Sequence, residues 1–206
     1  MQAITDLIMY FQKGGLVMWP LLACSITVIA IAIERFIYYK SVDSGAAFAS
    51  RYCAAVRSGD FAVATELARK GSGQCAQMLA AVEAVAGGKA EKSAFLESRA
   101  GIFMATLRDK LDYLGIIVTM SPLLGLLGTI VGMIGAFSIF NVEAGAPMAI
   151  TGGIGEALIA TATGLCVAIL SLCAHSYFAH RMDNMITDME QCFSALLEAE
   201  TRRARS

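Results

Sequence analysis

The chain has 206 residues, of which 57% are hydrophobic and 16% charged, with a formal net charge of −1 and a mean hydropathy of +0.63. A soluble domain usually carries about 25% charged residues, so this composition predicts an integral membrane protein. The sequence has neither a basic patch interleaved with aromatics nor a glycine-rich phosphate loop. Nucleic acid is therefore excluded as an expected partner.

The N-terminal segment, residues 1–15, is predicted to be an amphipathic helix that lies on the outer face of the lipid membrane. Its apolar face comprises Ile4, Leu7, Ile8 and Phe11. Residues 16–38 follow as the first transmembrane helix, because residues 16–33 carry no charge and aromatic side chains close the span.

Residues 39–112 are more polar and are predicted to form a cytoplasmic helical domain. Breaks at Gly59 and at Gly87-Gly88 divide it into short helices, and the last of these is expected to continue into the next apolar segment. The domain is assigned to the cytoplasm because positive charge concentrates on that side of a membrane. Its basic residues include Arg51, Arg57, Arg69, Lys70, Lys89, Lys92, Arg99, Arg108 and Lys110.

The second transmembrane helix is predicted at residues 113–140, which hold no charged residue. Glycines recur along it at spacings of three and four residues, which lets another helix approach closely. These helix-packing glycines are Gly125, Gly128, Gly132 and Gly135, and Thr129 lies among them.

The remaining segments are a periplasmic loop at 141–152, a third transmembrane helix at 153–180 and a cytoplasmic C-terminal helix at 181–206. The loop contains no Lys or Arg, whereas the C-terminal segment ends in an arginine-rich stretch. The N terminus is therefore expected outside and the C terminus inside. The predicted fold is an all-α integral membrane protein with three transmembrane helices, the second and third extended into the cytosol as long helices.

Glu156 is the only charged side chain in the third apolar segment, which also contains Thr161 and Thr163. An ionisable group inside a membrane costs several kcal/mol unless it faces protein or water. We expect Glu156 and the threonines to face a water-containing path between helices. The alternative places Glu156 near the wet outer end of its helix, in the first turn, where the helix dipole favours a negative charge.

The sequence contains no pattern that indicates a metal site, a cofactor site or an enzyme active site. The six cysteines show no CxxC spacing, and His175 and His180 are five residues apart, off a common helical face. We expect no metal site and no cofactor, and the cysteines are interpreted as packing residues or reduced thiols. No nucleophile–base pair is recognisable, so an enzyme is not expected.

Two apolar motifs together resemble the paired signature of the MotA/TolQ/ExbB proton channel family. They are residues 121–137, Ser-Pro-Leu-Leu-Gly-Leu-Leu-Gly-Thr-Ile-Val-Gly-Met-Ile-Gly-Ala-Phe, and residues 155–165, Gly-Glu-Ala-Leu-Ile-Ala-Thr-Ala-Thr-Gly-Leu. The resemblance is closest to the ExbB/TolQ branch. It implies a homo-oligomer, a pentameric ring whose second and third helices line a pore around a small ExbD/TolR-like partner. The implied pore residues are Thr129, Glu156 and Thr161.

The resemblance implies a proton-channel subunit in the inner membrane of a Gram-negative bacterium. With its ExbD/TolR-like partner, it would energise a TonB- or TolA-like transducer. One geometric question stays open. Glu156 and Thr161 are about 140° apart on an ideal helix, whereas Glu156 and Thr163 nearly align. Either the pore-facing arc of the helix is wide, or one of these two threonines packs between helices.

Two other functions remain possible at this stage. A non-conducting membrane scaffold would use the same glycine packing without moving protons. A flagellar stator of the MotA kind is less compatible, since those chains have four spans and this one has three. The sequence does not separate proton from sodium transport.

Overall fold

The computed structural model describes residue 11, residues 14–142 and residues 147–203, the side chains at 139–142 and 147–150 excepted. The predicted outer helix at 1–15 lies almost wholly outside the described residues, and so does the centre of the periplasmic loop. Across the described part the chain forms helices and no strand. In chain order they are α1 (Met18–Val42), α2 (Ala46–Ser58), α3 (Phe61–Lys70), α4 (Gln74–Val82), α5 (Lys89–Arg108), α6 (Leu111–Val142) and α7 (Pro147–Arg203).

Three stretches of helix within the described ranges are long and apolar enough to cross a membrane. They begin in α1, in the α5–α6 segment and in α7, with mean hydropathies of 1.9, 2.1 and 2.2 over their most apolar windows. Each is far longer than the roughly 20 residues that a bilayer requires. This confirms the predicted all-α membrane fold with three long apolar helices.

The second and third of these helices extend well beyond a membrane span. The α5–α6 stretch is interrupted only at Asp109 and Lys110, which form a turn. Asp109 itself keeps right-handed helical angles, φ −41° and ψ −48°. Helix α7 is continuous over 57 residues, about 85 Å at 1.5 Å per residue. It begins at Pro147, six residues before the predicted third span, and proline is well suited to the first turn of a helix.

The chain divides into two compact units. One comprises Met1–Ile33 and Leu111–Ser176, and the other comprises Glu34–Lys110 and Tyr177–Ser206. We call them the apolar unit and the polar unit. The apolar unit contains most of the predicted transmembrane residues, and the polar unit contains the short helices α2 to α4.

The boundary between α2 and α3 falls at the break expected from the sequence, whereas α4 already ends at Val82, ahead of the expected break at Gly87-Gly88. Gly59 ends α2 in the left-handed conformation, φ 82°, which a glycine adopts without steric cost. The Asp60 carboxylate then accepts a hydrogen bond from the Val63 amide, 3.1 Å away, and caps α3. These two residues turn the chain back on itself between α2 and α3.

Two side chains from the C-terminal part of α1 donate hydrogen bonds to backbone carbonyls at the C-terminal end of α5. Arg35 Nη1 donates to the Thr106 carbonyl and the Tyr39 hydroxyl donates to the Leu107 carbonyl, each at 3.0 Å. Arg35 is only 4% exposed, and its guanidinium also pairs with both oxygens of Glu34, at 2.7 and 2.8 Å. The last carbonyls of a helix lack partners within that helix. Arg35 and Tyr39 therefore supply partners just before the break that precedes α6.

Three cysteines are buried together in the polar unit. Cys53 Sγ lies 4.0 Å from Cys192 Sγ, and Cys75 is also buried. Burial raises the pKa of Cys53 to about 11. The hydrogen bond with Cys75, followed by burial, raises the pKa of Cys192. A thiol reacts as its thiolate, so Cys53 and Cys192 are protonated and unreactive near neutral pH. They occupy the core as small packing residues.

Candidate functional site

The contact between α6 and α7 is built from small residues. Gly125, Gly128 and Gly132 are buried, and each faces α7 of the same chain. A Cβ atom added at Gly128 would lie 2.5 Å from Ala160 Cβ, and one at Gly132 would lie 3.0 Å from the Gly153 carbonyl. Larger side chains would force the helices apart, so these glycines set the close approach of the two backbones.

Helix α7 supplies a matching row of small residues that the sequence analysis missed. The row comprises Gly153, Ala157, Ala160 and Gly164, at spacings of four, three and four. A Cβ atom added at Gly164 would lie 2.6 Å from the Ser121 carbonyl. The spacing is the same signal that identified the α6 glycines. Gly135, by contrast, is exposed, and a Cβ there would meet no described atom within 4 Å.

Thr161 links the two helices through its hydroxyl. Its Oγ1 lies 3.2 Å from the Gly125 carbonyl on α6 and 3.2 Å from the Ala157 carbonyl on its own helix. Thr129 comes four residues after Gly125, so it stands on the same face of α6, one turn further along. Its hydroxyl donates to the Leu126 carbonyl at 2.7 Å and its side chain is half-buried. Thr129 and Thr161 therefore lie along the same α6–α7 contact.

Thr163 occupies a different side of α7. Its hydroxyl donates to the Ile159 carbonyl of the same helix at 2.8 Å. It lies about 200° around the helix from Thr161, whereas Glu156, seven residues earlier, is within about 20° of its direction. Within one chain, α7 thus turns Thr161 toward α6 and turns Glu156 and Thr163 away from that contact. The four candidate residues do not form a single cluster in one chain.

Glu156 is half-buried and packs against the chain that leads into α1. Its Oε1 lies so close to Gly15 that any side chain there would overlap it, and Gly15 has a φ of +72°. Glycine is required at this position for both reasons. Because α7 begins at Pro147, Glu156 is its tenth residue and lies beyond the first turn. The helix dipole acts mainly within that turn and does not explain this carboxylate.

Two serines also lie fully buried between α6 and α7, and the sequence analysis did not single them out. The Ser171 hydroxyl donates to the Leu114 carbonyl at 3.0 Å. Ser121 Oγ has no hydrogen-bond partner among the described residues, although the residue is 0% exposed. The α6–α7 contact is therefore lined by hydroxyls as well as by glycine and alanine.

The outward faces of the apolar unit expose large hydrophobic side chains. Examples on α1 are Ile26, Ile29 and Ile33, on α6 Leu123, Leu127 and Ile134, and on α7 Leu158, Ile169 and Leu170. Exposed apolar area on this scale exceeds what a soluble monomer displays. These faces are suited to lipid or to further transmembrane helices.

Comparison with known proteins identifies the family. Residues 71–191, more than half of the chain, match the model of the MotA/TolQ/ExbB proton channel family. The match includes α4, α5 and α6 entirely and most of α7. It therefore covers Thr129 and Thr161 at the α6–α7 contact, and it also covers Glu156.

Individual relatives bear biopolymer-transport or Tol-Pal names. A putative biopolymer transport protein, ExbB-like 1, of Synechocystis sp. is 34% identical over 170 residues, which are 79% of this chain and 66% of that protein. The biopolymer transport protein exbB1 of Vibrio cholerae is 27% identical over 186 residues, covering 87% of this chain and 82% of its own length. The Tol-Pal system protein TolQ of Pseudomonas aeruginosa is 36% identical over 81 residues, covering 39% of this chain and 35% of its own length.

The chain thus spans about two thirds of the first of these relatives and four fifths of the second. The three long apolar helices found among its described residues agree with a membrane location. A channel family, rather than an enzyme family, accounts for the sequence and for the fold. The chain belongs to the MotA/TolQ/ExbB proton channel family.

Proposed function

We propose that this chain is the ring-forming subunit of an inner-membrane proton channel that works with a small ExbD/TolR-like membrane protein. The complex uses the proton gradient to drive a TonB- or TolA-like transducer in a Gram-negative envelope. The observation that carries the proposal is the Thr161 hydroxyl at 3.2 Å from the Gly125 carbonyl, with Thr129 one turn away on α6. This places hydroxyls on two adjacent helices of a chain whose family consists of proton channels.

A ring of copies, five by resemblance to the family, is needed to enclose a path. One chain presents a single α6–α7 pair, and its outward faces are apolar and exposed, as Leu123 and Leu158 illustrate. Repetition of that pair around an axis would bury such faces against neighbouring copies and would surround the partner's helices. It would also bring Thr129 and Thr161 of every copy to the same depth.

Within such a pore, the hydroxyls of Thr129 and Thr161 would hold water and stabilise a passing proton. Glu156 would act toward the outer end of α7, as the one carboxylate in this apolar stretch. No aspartate of this chain lies in the middle of a predicted span. The resemblance to the family implies that the carboxylate that carries the proton across belongs to the partner helix.

The orientation follows from the basic residues. Every Lys and Arg except Lys13 lies in or next to the segments 34–112 and 181–205. We assign these segments to the cytoplasm and the connection around residues 143–146 to the periplasm. The N terminus is then periplasmic and the C terminus cytoplasmic.

Two alternatives make different predictions. A non-conducting scaffold would bind the same partner but would tolerate neutral substitutions at Glu156, Thr129 and Thr161. A MotA-like stator would drive rotation of a flagellum, and the three apolar stretches found among the described residues favour the ExbB/TolQ arrangement instead.

The proposal is tested by Glu156→Gln, which removes the charge but keeps the size of the side chain. The full chain is expressed with its small partner in a strain that lacks the native copy, and energy-dependent uptake and envelope integrity are measured. We expect loss of function with the partner still recovered in a pull-down. Glu190→Gln, at an exposed glutamate of the polar unit, is the matched control and should behave as wild type. Normal function of Glu156→Gln would favour the scaffold.

A further inference from the structure

Helix α7 carries few ionisable side chains in its membrane part, and two of them lie near the opposite ends of that part. From residue 147 to residue 180 the acidic and basic side chains are Glu156, His175 and His180. Glu156 and His175 are 19 residues apart, which is about 28 Å along a helix. That separation is close to the roughly 30 Å thickness of the hydrocarbon layer. His175 is therefore placed at the inner edge of the layer when Glu156 is at the outer edge.

His175 is turned into the α6–α7 contact. A Cβ atom added at Gly115 of α6 would lie 3.8 Å from His175 Nε2 and 3.9 Å from its Cδ2, so the imidazole ring covers this glycine. The side chain is half-buried. His180 differs, because it is exposed and its Nε2 lies 3.3 Å from the Asn184 amide. Only the first of the two histidines faces α6.

The same contact carries hydroxyls between Thr161 and His175. Ser171 precedes His175 by four residues, so it lies on the same face, and it donates to the Leu114 carbonyl. Ser121 precedes Gly125, the acceptor for Thr161, by four residues on α6. Its buried hydroxyl has no protein partner in the described part of the chain. Such a group typically marks a site for a bound water.

The ionisable neighbours of His175 on these two helices are few. Asp112 and Tyr113 lie in the first turn of α6, and Cys173 and Tyr177 lie next to His175 on α7, and all four are exposed. No lysine or arginine occurs on either helix between residues 111 and 180. A protonated imidazole here would therefore meet no basic side chain from α6 or from the membrane part of α7.

We propose that His175 is the proton acceptor at the cytoplasmic end of the α6–α7 contact, an inference that rests on the proposed channel function. A neutral imidazole has one nitrogen that accepts a proton and one that donates. The accepting nitrogen takes a proton delivered by water along the hydroxyls, and the other nitrogen releases its proton to cytoplasmic water. The imidazole is neutral again after each transfer but in the other tautomer, so the ring must turn over or exchange its proton with water before it accepts the next one. No bond other than N–H changes, and the proton is the only ion that this group can pass.

The test measures proton flux in liposomes that contain the full complex of this chain with its small partner. A potassium diffusion potential drives the flux, and a trapped pH-sensitive dye reports it. We expect His175→Gln to lower the flux by roughly tenfold or more, in line with the loss of an acid–base group. His175→Glu restores a titratable side chain and should recover part of the flux. His180→Gln, the matched control, should conduct as wild type does.

The outcomes separate this inference from the proposed function. Wild-type flux in His175→Gln, with flux abolished in a Thr129→Val and Thr161→Val double variant, would overturn the role of His175 and leave the channel intact. A wild-type complex that conducts no protons would overturn both. Co-purification of the partner and the thermal stability of the ring are measured for each variant. Equal loss of flux in His175→Gln and His175→Glu, with both rings intact, would show a steric role and would also overturn the proposal.

Discussion

The hydroxyl of Thr161 on α7 donates a hydrogen bond across the helix contact to the carbonyl of Gly125 on α6, at 3.2 Å. The bond is possible because Gly125 has no side chain. A Cβ atom at that position would lie 3.1 Å from Thr161 Cα. Gly125 therefore permits the close approach of α6 and α7, and the hydrogen bond of Thr161 requires that close approach. Packing and the candidate proton path share the same residues.

This relationship predicts different consequences for two neighbouring threonines. Thr161→Val removes a hydrogen bond between helices and should lower the free energy of unfolding by roughly 0.5 to 1.5 kcal/mol. Thr163→Val removes only a bond to the Ile159 carbonyl of its own helix and should cost less. Thermal unfolding of the two purified variants in the same detergent gives the comparison. Equal destabilisation would mean that the Thr161–Gly125 bond contributes little.

The glycines of α6 should differ according to the side of the helix that they occupy. Gly128→Leu places a large side chain where Ala160 already lies, and overpacking of this kind costs typically 1 to 3 kcal/mol or more. Gly135→Leu faces open space within the chain and serves as the control. We expect poor membrane accumulation of the first variant and normal accumulation of the second, measured by quantitative immunoblotting. Comparable levels of both would argue against the α6–α7 contact described here.

The cap on α5 makes a third prediction. Tyr39→Phe removes the donor to the Leu107 carbonyl and leaves a buried acceptor without this partner, at a cost of about 1 to 3 kcal/mol. Arg35→Met removes the contact with Thr106 and also leaves Glu34 without its bidentate partner. Both variants should expose the turn at Asp109 and Lys110 to limited proteolysis. Tyr38→Phe is the control, and cleavage that is equally fast in all three would contradict the capping role.

Membrane orientation is best tested with introduced cysteines. The native thiols Cys53, Cys75 and Cys192 are buried, and the pKa of Cys53 is raised to about 11, so they should label slowly in the folded protein. In a chain with Cys166 and Cys173 changed to alanine, Ser58→Cys should react with an impermeant maleimide only after the inner membrane is opened. Leu16→Cys should react from the periplasm. Labelling of Ser58→Cys in cells with an intact inner membrane would contradict the proposed orientation.

Much of the fold could be predicted from sequence because long apolar helices leave a strong local signal. The absence of charge between residues 113 and 140 was enough to place most of α6, and Gly59 with Asp60 was enough to separate α2 from α3. The break at Asp109 was not predicted, since neither Asp109 nor Lys110 excludes a helix. The carbonyls just before it accept hydrogen bonds from Arg35 and Tyr39, which are about 70 residues away in the chain.

The candidate site was less accessible to sequence reasoning. Spacing alone showed that Thr161 and Thr163 cannot both align with Glu156, but it could not tell which one faces α6. That answer requires the partner atom on the other helix, the Gly125 carbonyl. Ser121 could not be identified from the sequence for the same reason. A serine in an apolar segment points to a site only when the hydrogen-bond partners of its hydroxyl are known. The role of these residues in a pore remains a prediction.

The most direct measurement is proton flux through the purified complex of this chain and its small partner in liposomes. The comparison is between wild type, the double variant Thr129→Val with Thr161→Val, and Thr119→Val. Thr119 is an exposed threonine of α6 whose hydroxyl bonds its own helix, so it is the matched control. We predict that the double variant keeps its ring and its partner but loses the flux, while Thr119→Val conducts as wild type does. Unchanged flux in the double variant would contradict the claim that these hydroxyls lie on the proton path.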